Sequence, residues 1–109
     1  MEKTFAALGD PTRLAVINLL RERPHRAGEL ASALRMSAPA LSRHLRVLRK
    51  CGLLADDAVV SDARVRLYRL EPAAFAAMRE WLTEVEASWS GQLDAFKSHA
   101  ESATEGSAG

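Results

Sequence analysis

The chain holds a single cysteine, Cys51. No intramolecular disulfide can form, which excludes a disulfide-stapled secreted scaffold and favours a reducing cytoplasm. No run of about 18 uninterrupted apolar residues occurs, so no membrane span and no membrane partner are expected. The first ten residues, MEKTFAALGD, lack a basic stretch followed by an apolar core, so no secretion signal is expected. A glycine-rich phosphate loop is missing, and no Ser/His/Asp or Cys/His set lies in a plausible catalytic register; an enzyme is not expected. With 109 residues and a mass of 11.9 kDa, the chain is too short for a large two-domain enzyme and amounts to one domain.

What is present is ordinary globular composition, 48% hydrophobic and 27% charged, which argues against wholesale disorder. The net charge of +1 conceals a strong division. Residues 11–50 hold eight arginines and one lysine against two glutamates, a net +7. Residues 51–70 are balanced, and residues 71–109 carry a net −5. A local basic field of this kind suits a polyanionic partner.

Helix signals dominate. A short helix is expected over residues 2–8, with Phe5 and Leu8 on one face, ended by Gly9. Asp10-Pro11 then starts a second helix: Asp10 caps free amides, and proline loses nothing at the first helical position. Leu14, Ala15, Val16, Ile17, Leu19 and Leu20 make this helix apolar on nearly all sides, a central core element; Arg21 to Arg23 and Pro24 close it. A third helix covers residues 27–34. Ser37 caps a fourth, residues 38–50, with Pro39 in its first turn and Gly52 after its end. Residues 53–60 and 64–70 read as two strands joined by a Ser61-Asp62-Ala63 turn. A last long helix opens at Pro72 and runs to about Glu101, with apolar steps of three and four through Phe75, Met78, Leu82, Val85, Trp89, Leu93 and Phe96. That seam is too long for one small domain to cover alone. The expected organisation is a domain over residues 1–101 and a flexible tail over 102–109.

The expected fold is therefore mostly α with a small β-hairpin: four helices, two strands, one helix. A short helix, a tight turn and a helix with one apolar and one basic face form a helix-turn-helix, and the hairpin that follows is the wing of a winged helix. Leu41, Leu45 and Leu48 would anchor the fourth helix. Ser42 and Arg43 would reach base edges, arginine being able to donate two bonds to guanine. Arg46, Arg49 and Lys50 lie where phosphates run. Arg64 and Arg66 on the wing would touch flanking backbone or minor groove, while Asp56 and Asp57 make the wing less cationic.

The runs FAALGDPTRLAVINLL, GELASALRMSAPALSRHLRVLRKCGLL and VRLYRL resemble the ArsR/SmtB family of bacterial winged-helix repressors, over roughly residues 4–89. The DPTR start, the SxPxLSRHLxVL helix and the YRL strand stand in the family's order and spacing. The resemblance implies a homodimer paired through its first and last helices, with Phe5, Leu8, Met78, Leu82, Val85, Trp89 and Leu93 at the interface. It also implies double-stranded operator DNA as the partner, read as an imperfect palindrome, usually in the protein's own promoter. Ser37, Ser42, Arg43 and His44 match the recognition-helix motif, and Ala38 and Pro39 share its first turn. Two departures stand out. Ala38 replaces a frequent polar reader, and Arg35 replaces a frequent glycine in the turn, asking a non-glycine residue for that geometry. Trp89, Leu93, Asp94, Lys97 and His99 resemble a subset with an extended last helix and no evident metal site.

The family's metal sites need thiolates in the third helix, or carboxylate and histidine groups on the last. GELASAL contains no cysteine, and His99, Asp94 and Glu101 do not share a face, so no metal and no cofactor is expected. Cys51 reads as a small half-buried apolar residue; as a redox sensor it would need a thiol from another subunit. His44 is open between a phosphate donor and a histidine at the edge of the core; His25 and His99 are expected to be solvated. Trp81 and Trp89 read as interface anchors ahead of an effector pocket, and the identity of a small-molecule effector is left open. Glu80, Glu84 and Glu86 form the wet face of the last helix. The expected function is a homodimeric, sequence-specific repressor. Two alternatives stay open: a metal- or thiol-responsive repressor with an atypical site, and a winged-helix protein-interaction module. The arginine stripe of the fourth helix favours DNA over a protein partner.

Overall fold

A computed structural model describes residues 1–59 and 61–108. Val60, where the first expected strand ends, and Gly109, the last residue of the expected tail, lie outside the described residues. By contact the chain divides into two compact units, Met1–Phe75 and Ala76–Gly109.

The first unit opens with α1 (Glu2–Leu8) and α2 (Pro11–Glu22). Asp10 caps α2 as expected: its Oδ1 accepts from the backbone N–H of Thr12 at 2.9 Å and of Arg13 at 3.0 Å. Those bonds, the Arg13 N–H first, hold the Asp10 carboxyl below its ordinary range. The helix is less enclosed than its composition suggests. Val16, Ile17 and Leu20 are buried, but Leu14 is 47% exposed, because it lies around the helix from the face they share.

Beyond Pro24 comes β1 (His25–Arg26), a two-residue strand that the sequence reading did not anticipate. Its pairing with the later hairpin, His25 opposite Tyr68 and Arg26 opposite Leu67, corrects the expectation that His25 is solvated. The residue is 6% exposed. Its Nδ1 lies 2.8 Å from the Arg23 carbonyl oxygen, which only accepts, so Nδ1 carries the proton.

Next is α3 (Ala27–Leu34), where Glu29 reaches back to accept the Arg26 N–H at 3.1 Å. That bond, followed by the one from the Arg23 side chain, lowers the Glu29 carboxyl from its ordinary value. Arg35 then takes the left-handed conformation at φ 54°, so the turn keeps glycine geometry without glycine, at modest strain. Ser37 caps α4 (Ala38–Lys50), its Oγ accepting from the Ala40 N–H at 3.3 Å. Gly52, at φ 76°, ends the helix in the left-handed geometry that glycine adopts without strain.

The wing consists of β2 (Leu54–Val59) and β3 (Asp62–Leu70). Asp62 pairs with Val59, so it belongs to the strand and not to the expected three-residue turn. The sheet is antiparallel, in the order β1-β3-β2. α5 (Pro72–Ala108) is helical well past Glu101, through all but the last residue of the expected tail. Its 37 residues span about 55 Å at 1.5 Å per residue. The expected order of elements holds, with β1 added, and the fold is a winged helix-turn-helix. The core of the first unit is leucine-rich: Leu30, Leu41, Leu45, Leu48, Leu53 and Leu54 are all buried, beside the α2 residues above.

Asp10 supplies a test. A carboxyl whose value falls on folding adds stability above the ordinary carboxylate range and loses it as pH drops through the lowered value. Asparagine caps equally well without titrating. The Tm of Asp10→Asn, followed by circular dichroism, should therefore fall less between neutral and acid pH than that of the parent. Equal falls would show that the cap contributes nothing to acid sensitivity.

Candidate nucleic-acid interface

Helix α4 is built to show one face. Leu41, Leu45 and Leu48, spaced by four and three, are 1%, 3% and 0% exposed. Each contributes about 1.5–3 kcal/mol by leaving water, and together they set the rotation of the helix about its axis. That rotation leaves Ser42, Arg43, Arg46, Arg49 and Lys50 outside, with Ser37, Ala38 and Pro39 exposed at the N-terminal end. The turn residue Arg35 is exposed as well.

The cations divide into two kinds. Arg43, Arg46 and Lys50 have no side-chain hydrogen bond or ion pair among the described residues. Arg49 and Arg66 share one carboxylate: Arg49 Nε is 2.9 Å from Asp56 Oδ1, and Arg66 Nε is 3.1 Å from Asp56 Oδ2. Arg64 pairs with Asp62 at 3.3 Å on the wing, with its side chain 92% exposed.

Strand alternation explains the pairing. Asp56 lies opposite Tyr68 in the hairpin and Ala58 opposite Arg66, so Asp56 and Arg66 are diagonal neighbours on one face, within reach of a long side chain. Asp57, opposite Leu67, points to the other face. There it meets its own diagonal partner: Arg69 Nε lies 2.8 Å from Asp57 Oδ2. The hydrogen bond that Arg69 donates to Asp57 is the main reason its guanidinium is held above its usual range. Only the Asp56 face turns toward α4, and there Arg49 completes the group. Between helix and wing an open cleft of about 350 Å³ is lined by Ser42, Leu45, Arg46, Arg49, Lys50 and Tyr68.

His44 is set apart from the other recognition-helix candidates. It is half-buried, with Nδ1 3.4 Å from Arg13 Nη1 and 3.9 Å from Asp10 Oδ1. Arg13 also donates from Nε to the Ala7 carbonyl at 2.7 Å. The DPTR segment thus ties α1, α2 and α4 together, a role beyond the cap that the sequence made visible.

The expected interface residues fall in different settings. Phe5 and Leu8 are half-buried, and Met78 is already buried at 7%. Along the second unit Leu82, Val85, Trp89, Leu93 and Phe96 form one stripe, 45–73% exposed. Trp81, beside it, is 40% exposed. Cys51 is half-buried, its Sγ 3.6 Å from the Lys3 carbonyl oxygen. Among the described residues no three His, Cys, Asp or Glu side chains are grouped to hold a metal ion, and no helix is long and apolar enough to cross a membrane. The pairing of Asp56 with Arg49 was missed by the sequence reading; the alternation that joins Asp56 to Arg66 was available in it, but the packing of α4 was not.

The family model described as "Bacterial regulatory protein, arsR family" matches residues 10–56, from the cap of α2 to the shared carboxylate. The chain is 35% identical over 95 residues to the HTH-type transcriptional regulator Rv2034 of Mycobacterium tuberculosis, covering 87% of this chain and 83% of that protein. It is 45% identical over 73 residues to the arsenical resistance operon repressor of Escherichia coli, covering 62% and 56% respectively. An ArsR-like transcriptional regulator from Rhodococcus sp. RHA1 shares its fold, with a TM-score of 0.81 at 33% identity over 93% of this chain and 90% of that one. The chain belongs to the ArsR/SmtB family of winged-helix transcriptional regulators, which are DNA-binding proteins and not enzymes.

Proposed function

We propose that the protein is a homodimeric repressor that occupies an imperfect palindrome in an operator, its own promoter included, and works in the cytoplasm without a resident metal. The observation that carries this reading is the outer face of α4. Ser42, Arg43 and Arg46 stand exposed and unpartnered, opposite three leucines that are at most 3% exposed. Unpaired guanidiniums on a rigid helix can approach DNA without first breaking an internal ion pair. Ser42 and Arg43, nearer the N-terminal end, read base edges. Arg46 and Lys50 grip phosphates, and Arg49, Arg64 and Arg66 extend the grip to the wing. Ser37, Ala38 and Pro39 form the turn that enters the groove, and Ala38 supplies no polar contact there.

The dimer reading is supported by the stripe on α5. A run of exposed Leu82, Val85, Trp89, Leu93 and Phe96 is an apolar seam of the kind that a second copy covers. Phe5 and Leu8 join it from the first helix of the partner. Two-fold symmetry then places two α4 helices about one DNA turn apart, so the site is palindromic.

Binding is measured by fluorescence anisotropy on the duplex just upstream of the gene, against an unrelated duplex, with chelator present. Tight binding to the first alone is expected; equal binding to both would favour a protein-docking role. Arg43→Ala should cost about 1–3 kcal/mol on the specific duplex and relax base preference there. Arg46→Ala should weaken both duplexes alike and reduce the salt slope by about one. If the two variants behave identically, the division into reader and clamp is wrong. Val85→Glu should give monomers in sedimentation equilibrium, and an unchanged dimer would remove α5 from the interface.

A further inference from the structure

We propose that Asp56 is a positioning residue of the DNA interface: its carboxylate holds Arg49 of α4 and Arg66 of β3 in one fixed array and so sets how strongly the protein prefers its operator over random DNA. The proposal rests on the DNA-binding reading above and assigns the discrimination to an anion inside a cationic surface.

Three observations converge on Asp56. Its side chain is 5% exposed, whereas those of Arg49 and Arg66 are 54% and 51% exposed. The carboxylate is therefore shielded beneath the two guanidiniums it holds. Each of its oxygens is engaged by the Nε of an arginine from a different element, at 2.9 and 3.1 Å. Each guanidinium has five N–H donors, so use of Nε leaves four for a phosphate or a base. Finally, Asp57, the next residue, carries the same charge on the opposite face of the hairpin and reaches neither Arg49 nor Arg66, pairing with Arg69 instead.

The physical consequence is an arrangement settled before DNA arrives. A free arginine loses rotamer freedom when it grips a phosphate, whereas a tethered one has lost that freedom on folding. The shared carboxylate also joins the reading helix to the wing, so the spacing between their cations is fixed. Fixed spacing rewards a duplex whose sequence-dependent groove shape brings its phosphates to that spacing, and gives less to a duplex of another shape. On random DNA the carboxylate acts in the other direction, by neutralising part of the charge that such binding depends on.

Asp56→Asn keeps the shape and removes the charge. It is expected to bind the upstream duplex about tenfold more weakly and the unrelated duplex more tightly. On the unrelated duplex its slope of log affinity against log salt should steepen by about one, as freed arginines meet phosphates. Asp57→Asn changes net charge by the same amount and should shift both duplexes in the same direction, with their ratio kept. A merely structural role for Asp56 would weaken both duplexes alike and leave the slope unchanged, and that result overturns the proposal. So does an Asp57→Asn variant that loses discrimination as Asp56→Asn does. If the parent shows no preference between duplexes, the repressor reading itself fails, which is visible before any variant is made. Should Asp56→Asn fail to fold by circular dichroism, the parent carries the test. The Nε–H resonances of Arg49 and Arg66 should be protected from exchange in the free protein and remain so on the upstream duplex; loss of protection on that duplex overturns the proposal.

Discussion

Helix α4 can be held in only one rotation, because the three leucines of its inner face are almost completely removed from water. Everything that faces outward from the winged helix follows from that constraint. The turn at Arg35 places the start of the helix, the Ser37 cap defines its first turn, and Gly52 releases the chain into the wing. Arg43 and Arg46 are not oriented by contacts of their own, since their side chains have none among the described residues. They are aimed by what lies behind them. The helix face they stand on therefore keeps a defined direction although its cations repel one another, because apolar burial sets the rotation of the helix.

A second layer of order comes from charge. The hairpin carries consecutive aspartates, and strand alternation sends them to opposite faces, each with a diagonal arginine. The pairs look equivalent along the sequence but are not equivalent in space. Only the inner one has a helix in front of it, so only the inner one recruits a third charged residue. His44 is drawn in the opposite way, toward the N-terminal end of α2, where Asp10 and Arg13 surround it. Within one motif, SRHLR, some side chains are presented to solvent and one is folded back to secure the helix.

Much of this was readable from the residues. Both boundaries of α1, α3 and α4, and the start of α2, were found because strong local chemistry marks helix ends: Asp10-Pro11, Ser37 with Pro39, and Gly52. The outward face of α4 was readable because leucines at helical spacing leave no other choice. Most of what is not legible in the sequence is tertiary in origin. β1 is two residues long, too short for any period to show, and exists because β3 offers it an edge; the burial of His25 comes with it. Composition places Leu14 in the core because it reports how apolar a helix is, not how much of its circumference is covered. The small polar residues after Glu101 suggest an end to α5 there, yet nothing in ESATEGSA forbids helix before the final glycine, and the helix continues to Ala108. Finally, Asp56 in the sequence only dilutes the wing's charge; its shielded position between two arginines emerges only when helix and hairpin are packed.

The strand order β1-β3-β2 leaves a small sheet with two edges, and each is blunted by a different device. On one side β1 covers β3 only at Leu67 and Tyr68, and the rest of that edge carries Arg64, Arg66 and Arg69, charges that oppose an incoming strand. On the other, β2 carries Asp56 and Asp57 side by side, and the register is interrupted between Ala58 and Val59. A foreign strand would have to align against adjacent aspartates and a bulge. The wing can thus project from the protein as an extended hairpin, in a chain whose last helix already exposes a long apolar stripe, without becoming a template for edge-to-edge aggregation.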